Sequence, residues 1–213
     1  KILKNGDLVI FPTETVYGLG GDATNKNAIK KIYKIKDRPN NNPLICHFKD
    51  LINIEENFFL NDASYKLAKK FWPGPLTLIL EKKNSSKICA ELSNQKKFVG
   101  CRIPNHQIAQ KLLNGIPFPL AAPSANISTK LSSTKINHLS NKLKDNIFTI
   151  DGGKSFYGLE STVINVSDNM PKILRLGSIT FEDIEKIIPN ITIENFSNTI
   201  ILSPGQQIKH YSP

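Results

Sequence analysis

The chain has 213 residues, of which 39% are hydrophobic and 22% charged, and carries a formal net charge of +10. That length suits one domain of about 200 residues with a short extension, and the ordinary globular mix excludes wholesale disorder and a fibrous repeat. The longest apolar runs, such as Leu76-Thr77-Leu78-Ile79-Leu80, are strand-sized and fall far below the roughly 18 residues a membrane helix needs.

Asp7 to Phe11 is an apolar run stopped by Pro12 and predicts a buried strand, which empties into a segment from Thr13 to Asp22 that holds three glycines and reads as a loop. From Ala28 to Lys36 the positions Ile29, Ile32 and Tyr33 share one helical face, with asparagines before them as caps and Pro39 after them as a stop. Pro43 to Phe48 predicts a second buried strand, Ala63 to Phe71 a helix ended by Pro73-Gly74-Pro75, and Leu76 to Leu80 a third strand. A lysine-rich turn leads to a strand over Phe98 to Ile103, a helix over Gln107 to Leu113 closed by Gly115, and a strand over Pro119 to Ala122. Ile136, Leu139 and Leu143 predict one helix over Lys135 to Lys144. Strands follow at Ile147 to Ile150, Thr162 to Val166 and Lys172 to Leu176, then a helix over Phe181 to Ile188 with Thr180 as its N-cap. The fold class is therefore mixed α/β, a mixed sheet covered by helices. From Ser203 onward prolines, glycine and serines mix with a histidine and a tyrosine, which reads as a linker or lid over 203–213 attached to a domain over 1–202.

Cys46, Cys89 and Cys101 are odd in number and have no paired spacing, which argues against a disulfide framework and a zinc site. With no signal-type apolar stretch at the start, a reducing cytoplasm is the expected compartment. The cations are 25 lysines and 3 arginines, scattered along the chain. A dedicated nucleic-acid face would cluster them among aromatics, so charge alone is weak support for an RNA-binding role. In a chain so rich in lysine, Arg38, Arg102 and Arg175 mark places that need a planar, bidentate guanidinium.

Gly153-Lys154-Ser155 ends like a phosphate-binding loop, but Phe148 stands where that motif requires glycine. No nucleophile elbow and no His-Glu-x-x-His motif occurs. Four constellations remain. Lys36 and Arg38, one residue apart at a helix end, suit phosphate oxygens or simply a solvated helix terminus. Ser124 and Asn126 after a buried strand suit phosphate, ribose or Mg²⁺-water contacts, or form a plain turn. Arg102 at a strand end implies either a structural salt bridge or a carboxylate site. Glu160-Ser161-Thr162 and Arg175 also lie at strand ends, where open sheets bind ligands.

In order along the chain stand Phe11-Pro-Thr-Glu-Thr-Val-Tyr-Gly-Leu-Gly20, Lys36-Asp-Arg-Pro39, Asn42-Pro-Leu-Ile-Cys-His47, Pro73-Gly-Pro-Leu-Thr77, Ser124-Ala-Asn126, Ser161-Thr-Val163, and Ser203-Pro-Gly205 with Lys209-His-Tyr211. With these segments the chain resembles the threonylcarbamoyl-AMP synthases, the YrdC-like family, in its longer linker-bearing branch. The resemblance implies a twisted mixed sheet with a large central cavity. It also implies a nucleotidyltransferase reaction in which L-threonine, bicarbonate and ATP, with Mg²⁺, give threonylcarbamoyl-AMP and pyrophosphate. Partner transferases then pass the threonylcarbamoyl group to a tRNA adenosine. By the same resemblance Lys36, Arg38, Ser124 and Asn126 form the catalytic group. Arg38, Asn42, Ser124, Asn126, Ser132, Arg175 and the tail residue Tyr211 contact the nucleotide. Thr13, Thr15, His47, Arg102 and Ser161 contact threonine, and no protein-held metal is implied. Thr129, Leu176 and Ala122 depart from the residues usual in the family. The competing readings are a double-stranded RNA or tRNA binding module of the same fold and a carbamoyl-transfer domain using carbamoyl phosphate.

Overall fold

In the computed structural model, which describes residues 1–93, 97–128, 130–168 and 170–194, the short apolar runs become strands of a single sheet. In chain order these are β1 (Val9–Phe11), β2 (Gly18–Asp22), β3 (Ile45–His47), β4 (Phe58–Phe59), β5 (Leu76–Lys82), β6 (Phe98–Arg102), β7 (Leu120–Ala121), β8 (Phe148–Thr149), β9 (Thr162–Asn165), β10 (Lys172–Arg175) and β11 (Thr192–Ile193). Their spatial order is β11-β10-β9-β5-β6-β3-β7-β2-β1-β8, with β4 paired to β5. Parallel pairs (β3 with β6, β5 with β9) alternate with antiparallel ones (β5 with β6, β3 with β7, β2 with β7), so the sheet is mixed.

Strand side chains alternate between faces, and here the alternation separates core from site. Ile10, Leu19, Cys46, Leu78, Cys101 and Ile164 join the main core on one face. Helices α1 (Lys26–Lys36) and α3 (Asp62–Phe71) supply that core with Ile29, Ile32 and Leu67. On the opposite face Val9, Phe11 and Leu120 pack with Ala109 and Leu113 of α4 (Gln107–Asn114) in a smaller cluster. The intervening residues of β3 and β6 on that second face form the cleft described below.

The segment from Thr13 to Asp22 is a loop only in its first half; Gly18 to Asp22 is a fully buried strand between β1 and β7. A Cβ on Gly20 would lie 2.8 Å from the Phe11 ring and one on Gly21 2.8 Å from Leu8. The glycines thus admit close neighbours on both faces and do not serve a turn. The helix expected over Lys135 to Lys144 is two pieces, a 3-10 turn (Ile136–His138) and α5 (Asn141–Lys144), because Leu139 and Ser140 are extended. Leu139 and Leu143 still reach the core, so the apolar spacing is satisfied without a continuous helix. Helix α2 (Leu51–Asn57) has no counterpart in the expectations: it buries only Ile54 and carries no apolar stripe, although Asp50 caps it by accepting from Asn53 N at 2.8 Å. The final helix α6 (Phe181–Glu185) ends three residues early, and Thr180 caps it as expected. Asn25 is the cap of α1, accepting from Asn27 and Ala28 amides. Thr129, Tyr211 and the expected boundary at 202/203 lie outside the described residues. No helix among the described residues is long and apolar enough to cross a membrane.

Candidate active site

Parallel pairing of β3 and β6 sets Cys46 opposite Cys101 and His47 opposite Arg102. Both cysteines point into the core, so His47 and Arg102 emerge side by side on the other face. They line one cleft. Thr13 and Thr15 from the loop after β1, Ser124 from the loop after β7, Ser161 before β9, Arg175 ending β10 and Arg38 after α1 complete its polar wall. Eight residues given a ligand role by the family resemblance, Thr13 to Arg175, therefore share one cavity.

At one end the Arg102 guanidinium donates from Nη1 to Thr15 Oγ1 (2.9 Å), from Nη2 to Glu14 Oε1 (2.7 Å) and from Nε to the Gly74 carbonyl (3.3 Å). The Glu14 ion pair is nearly sealed, with side-chain exposures of 4% for Arg102 and 6% for Glu14. Arg102 is thus a structural salt bridge and a cavity wall at once. Thr13 and Thr15 hydroxyls lie 2.9 Å apart, and Thr13 Oγ1 also donates to the Val16 carbonyl at 2.6 Å, which ties the loop into a tight turn. Burial, and next the Arg102 charge, push His47 down to about 3, so its ring is neutral at physiological pH. Phe11 meets the ring edge-on at 6.1 Å.

At the other end Arg38 donates, among the described residues, to uncharged oxygens: Nε to Asn42 O (3.0 Å), Nη2 to Asn42 Oδ1 (2.5 Å) and Nη2 to Pro43 O (2.9 Å). Asn42 thus aims Arg38 and does not itself line the cleft. Arg175 pairs with Glu160 and donates from Nε to Ser161 O at 3.1 Å, while Glu160 also accepts from Ser132 Oγ at 2.7 Å. Ser161 Oγ lies 2.8 Å from Thr77 Oγ1.

Lys36 differs from its expected phosphate-facing position. Its side chain is 1% exposed, and Nζ donates to Ser124 O (2.5 Å), to Asn126 O and to Asn126 Oδ1 (3.3 Å). All three ammonium protons therefore hold the loop that presents Ser124, whose own hydroxyl donates to Asn126 Oδ1 at 2.6 Å. Asn126 in turn donates to the Lys130 carbonyl. Lys36, in the last turn of α1, is drawn inward onto the carbonyls of Ser124 and Asn126, and Ser124 O also accepts from Asn126 N at 3.0 Å. Burial, then the Arg38 charge, lower Lys36 to about 7 while Glu160 opposes the shift. Arg38 itself falls to about 10, mainly through burial.

The sequence reading named Glu160 only as part of a polar strand end and gave Glu14 no role. Glu160 lines the cleft, and Glu14 stands behind Arg102. The available signal was the rule that a buried guanidinium needs an anionic partner. Both carboxylates are engaged by arginines, and among the described residues no group of three or more His, Cys, Asp or Glu side chains is placed to hold a metal ion. The donor set does not fit a resident Mg²⁺.

A family profile named Sua5_yciO_yrdC and described as "Telomere recombination" matches residues 1–177. The chain is 43% identical over 219 residues to the threonylcarbamoyl-AMP synthase of Bacillus subtilis, covering 100% of this chain and 62% of that protein. It is 42% identical over 217 residues to that of Pyrococcus abyssi, covering 99% and 63%. A crystal structure of P. abyssi Sua5 complexed with L-threonine superposes with a TM-score of 0.94 at 41% identity, covering 100% of this chain and 64% of that one. The chain thus spans a little under two thirds of the length of these relatives.

Proposed function

Since the chain belongs to the Sua5/YciO/YrdC family, we propose that it carries the catalytic unit of a threonylcarbamoyl-AMP synthase. One observation carries this reading beyond family membership. The three arginines of a lysine-rich chain, 38, 102 and 175, converge on one cleft walled by threonine and serine hydroxyls.

In this reading threonine lies at the Arg102 end, its carboxylate on the guanidinium and its hydroxyl among Thr13, Thr15, His47 and Ser161. The triphosphate of ATP lies toward Arg38, Ser124 and Arg175. Bicarbonate yields carbon dioxide and hydroxide; the deprotonated threonine amine attacks the carbon, forms an N–C bond and gives up one proton, which leaves with that hydroxide as water, and the resulting carbamate oxygen attacks the α-phosphorus. The bond from that phosphorus to the bridging oxygen breaks, and pyrophosphate leaves. No protein nucleophile is consumed, so catalysis rests on positioning and on charge neutralisation by the arginines. A Mg²⁺ ion would arrive on the nucleotide's own phosphates, and no step here is routed through it. Lys36, Asn42, Asn126 and Ser132 act one layer back, holding Ser124, Arg38 and Glu160 in place. The chain's product would pass to a tRNA-modifying transferase in the cytoplasm.

The segment 203–213, with Tyr211, completes the reading as a cover over the nucleotide. Pyrophosphate release from ATP tests the proposal. It should require both L-threonine and bicarbonate, and release independent of threonine would overturn it.

A further inference from the structure

The cleft's arginines are not equivalent in charge. Among the described residues Arg38 donates to neutral acceptors, and it shares with Arg175 a single cleft carboxylate, Glu160, so that end of the cleft carries net positive charge. Arg102 is bound to Glu14 at 2.7 Å with both side chains almost wholly buried. Glu14 is not part of the cleft wall, whereas its neighbours Thr13 and Thr15 are; the carboxylate sits behind the guanidinium. Its second oxygen, Oε2, is buried without a hydrogen-bond partner among the described residues, so the anion is neutralised by Arg102 and no second cation. The other titratable groups facing the pair are His47, held neutral by burial, and His106, which burial also shifts downward. The Arg102 end therefore offers a fixed donor fork with little net charge. Among the described residues three of Arg102's five N–H groups have partners, and the guanidinium lines the cleft with the other two.

We infer that Glu14 is a specificity-determining positioning residue: it fixes the Arg102 guanidinium and cancels its charge, so that this subsite accepts a zwitterionic α-amino acid in preference to an anion lacking the ammonium group. The inference rests on the threonine reading above. A bare guanidinium in a low-dielectric cleft attracts any carboxylate or phosphate and repels an ammonium; a guanidinium paired from behind keeps the hydrogen-bond geometry but loses that bias. Glu14 thereby also discourages the triphosphate from lodging at the amino-acid end.

The test compares L-threonine with 3-hydroxybutyrate, which keeps the hydroxyl and the carboxylate but has hydrogen in place of the ammonium. Calorimetric titration of the unaltered chain should show threonine bound at least about tenfold more tightly. Glu14→Gln retains an acceptor for Arg102 but removes the charge. It should narrow the threonine preference by about tenfold, with threonine weakened and 3-hydroxybutyrate strengthened. Glu14→Asp, which restores the charge on a shorter arm, should keep the preference even if both ligands weaken together; its loss in Glu14→Asp would overturn the inference, including where Glu14→Gln does not fold. An unchanged ratio in Glu14→Gln, or a parallel loss of both ligands, would reduce Glu14 to a structural partner while leaving the synthase reading intact. No threonine binding by the unaltered chain would overturn both.

Discussion

Replacing Lys36 by methionine should flatten the pH dependence of stability between pH 7 and 9. Lys36 is buried at 1% exposure with its ammonium against three oxygens, and burial lowers it from 10.5 to about 7. The unfolded chain holds the lysine proton up to about pH 10.5, while the folded chain releases it near 7. Across that window the unfolded state binds more protons, so stability rises with pH, at a limiting slope of about 1.4 kcal/mol per pH unit. Integrated from pH 7, where the folded group is half-titrated, to pH 9, the gain is roughly 2 kcal/mol. Methionine keeps the apolar stem and cannot titrate, so this gain should vanish. The buried thiols Cys46 and Cys101 are raised well above their usual range and act in the opposite sense from about pH 9 upward, but they are common to both proteins and cancel in the difference. Urea unfolding at pH 7, 8 and 9, extrapolated to water, reads the effect directly. Parallel stability curves for the two proteins would refute the reasoning, because they would mean that Lys36 stays protonated in the fold.

Arg102→Lys should raise the threonine requirement by about tenfold or more, because a point charge cannot serve Glu14, Thr15 and a ligand carboxylate together, while ATP affinity without threonine stays within about twofold. Separate calorimetric titrations of the two ligands check both halves. Arg38→Ala should show the mirror image, with ATP weakened by about tenfold or more through loss of a charge-assisted contact and threonine binding nearly unchanged; equal losses for both ligands would place Arg38 elsewhere. Deleting residues 203–213 should lower product yield and nucleotide affinity with little change in melting temperature, and retention of both would make the segment a spacer.

What the sequence made legible follows the range over which each determinant acts. Asn25 and Thr180 cap their helices through amides two or three residues away, and β1, β3 and β5 are short apolar runs bounded by proline, so local chemistry was enough to find them. Gly18, Gly20 and Gly21 misled because glycine's local meaning is a turn, whereas here the missing side chains make room for Phe11 and Leu8 from neighbouring segments. Helix α2 escaped because one buried residue, Ile54, leaves no period to detect, and the break at Leu139 and Ser140 escaped because residues 136, 139 and 143 keep helical spacing across it.

The same distinction runs through the site. The arginines stood out because substitution by lysine is a property of composition, visible without any partner. Glu14, an ordinary acidic residue in a loop, acquires its meaning only from Arg102, 88 positions away, and Lys36 acquires its own from Ser124 and Asn126, 88 and 90 positions away. Composition thus showed which residues needed special chemistry, while pairing across the sheet decided which of them face the ligand and which hold the others. Lys36 and Arg38 are separated by one residue, yet Asp37 between them adopts a left-handed backbone (φ 51°) that ends α1. One cation is turned inward to the Ser124 loop and the other lines the cleft, so two adjacent basic residues of nearly equal appearance carry different tasks.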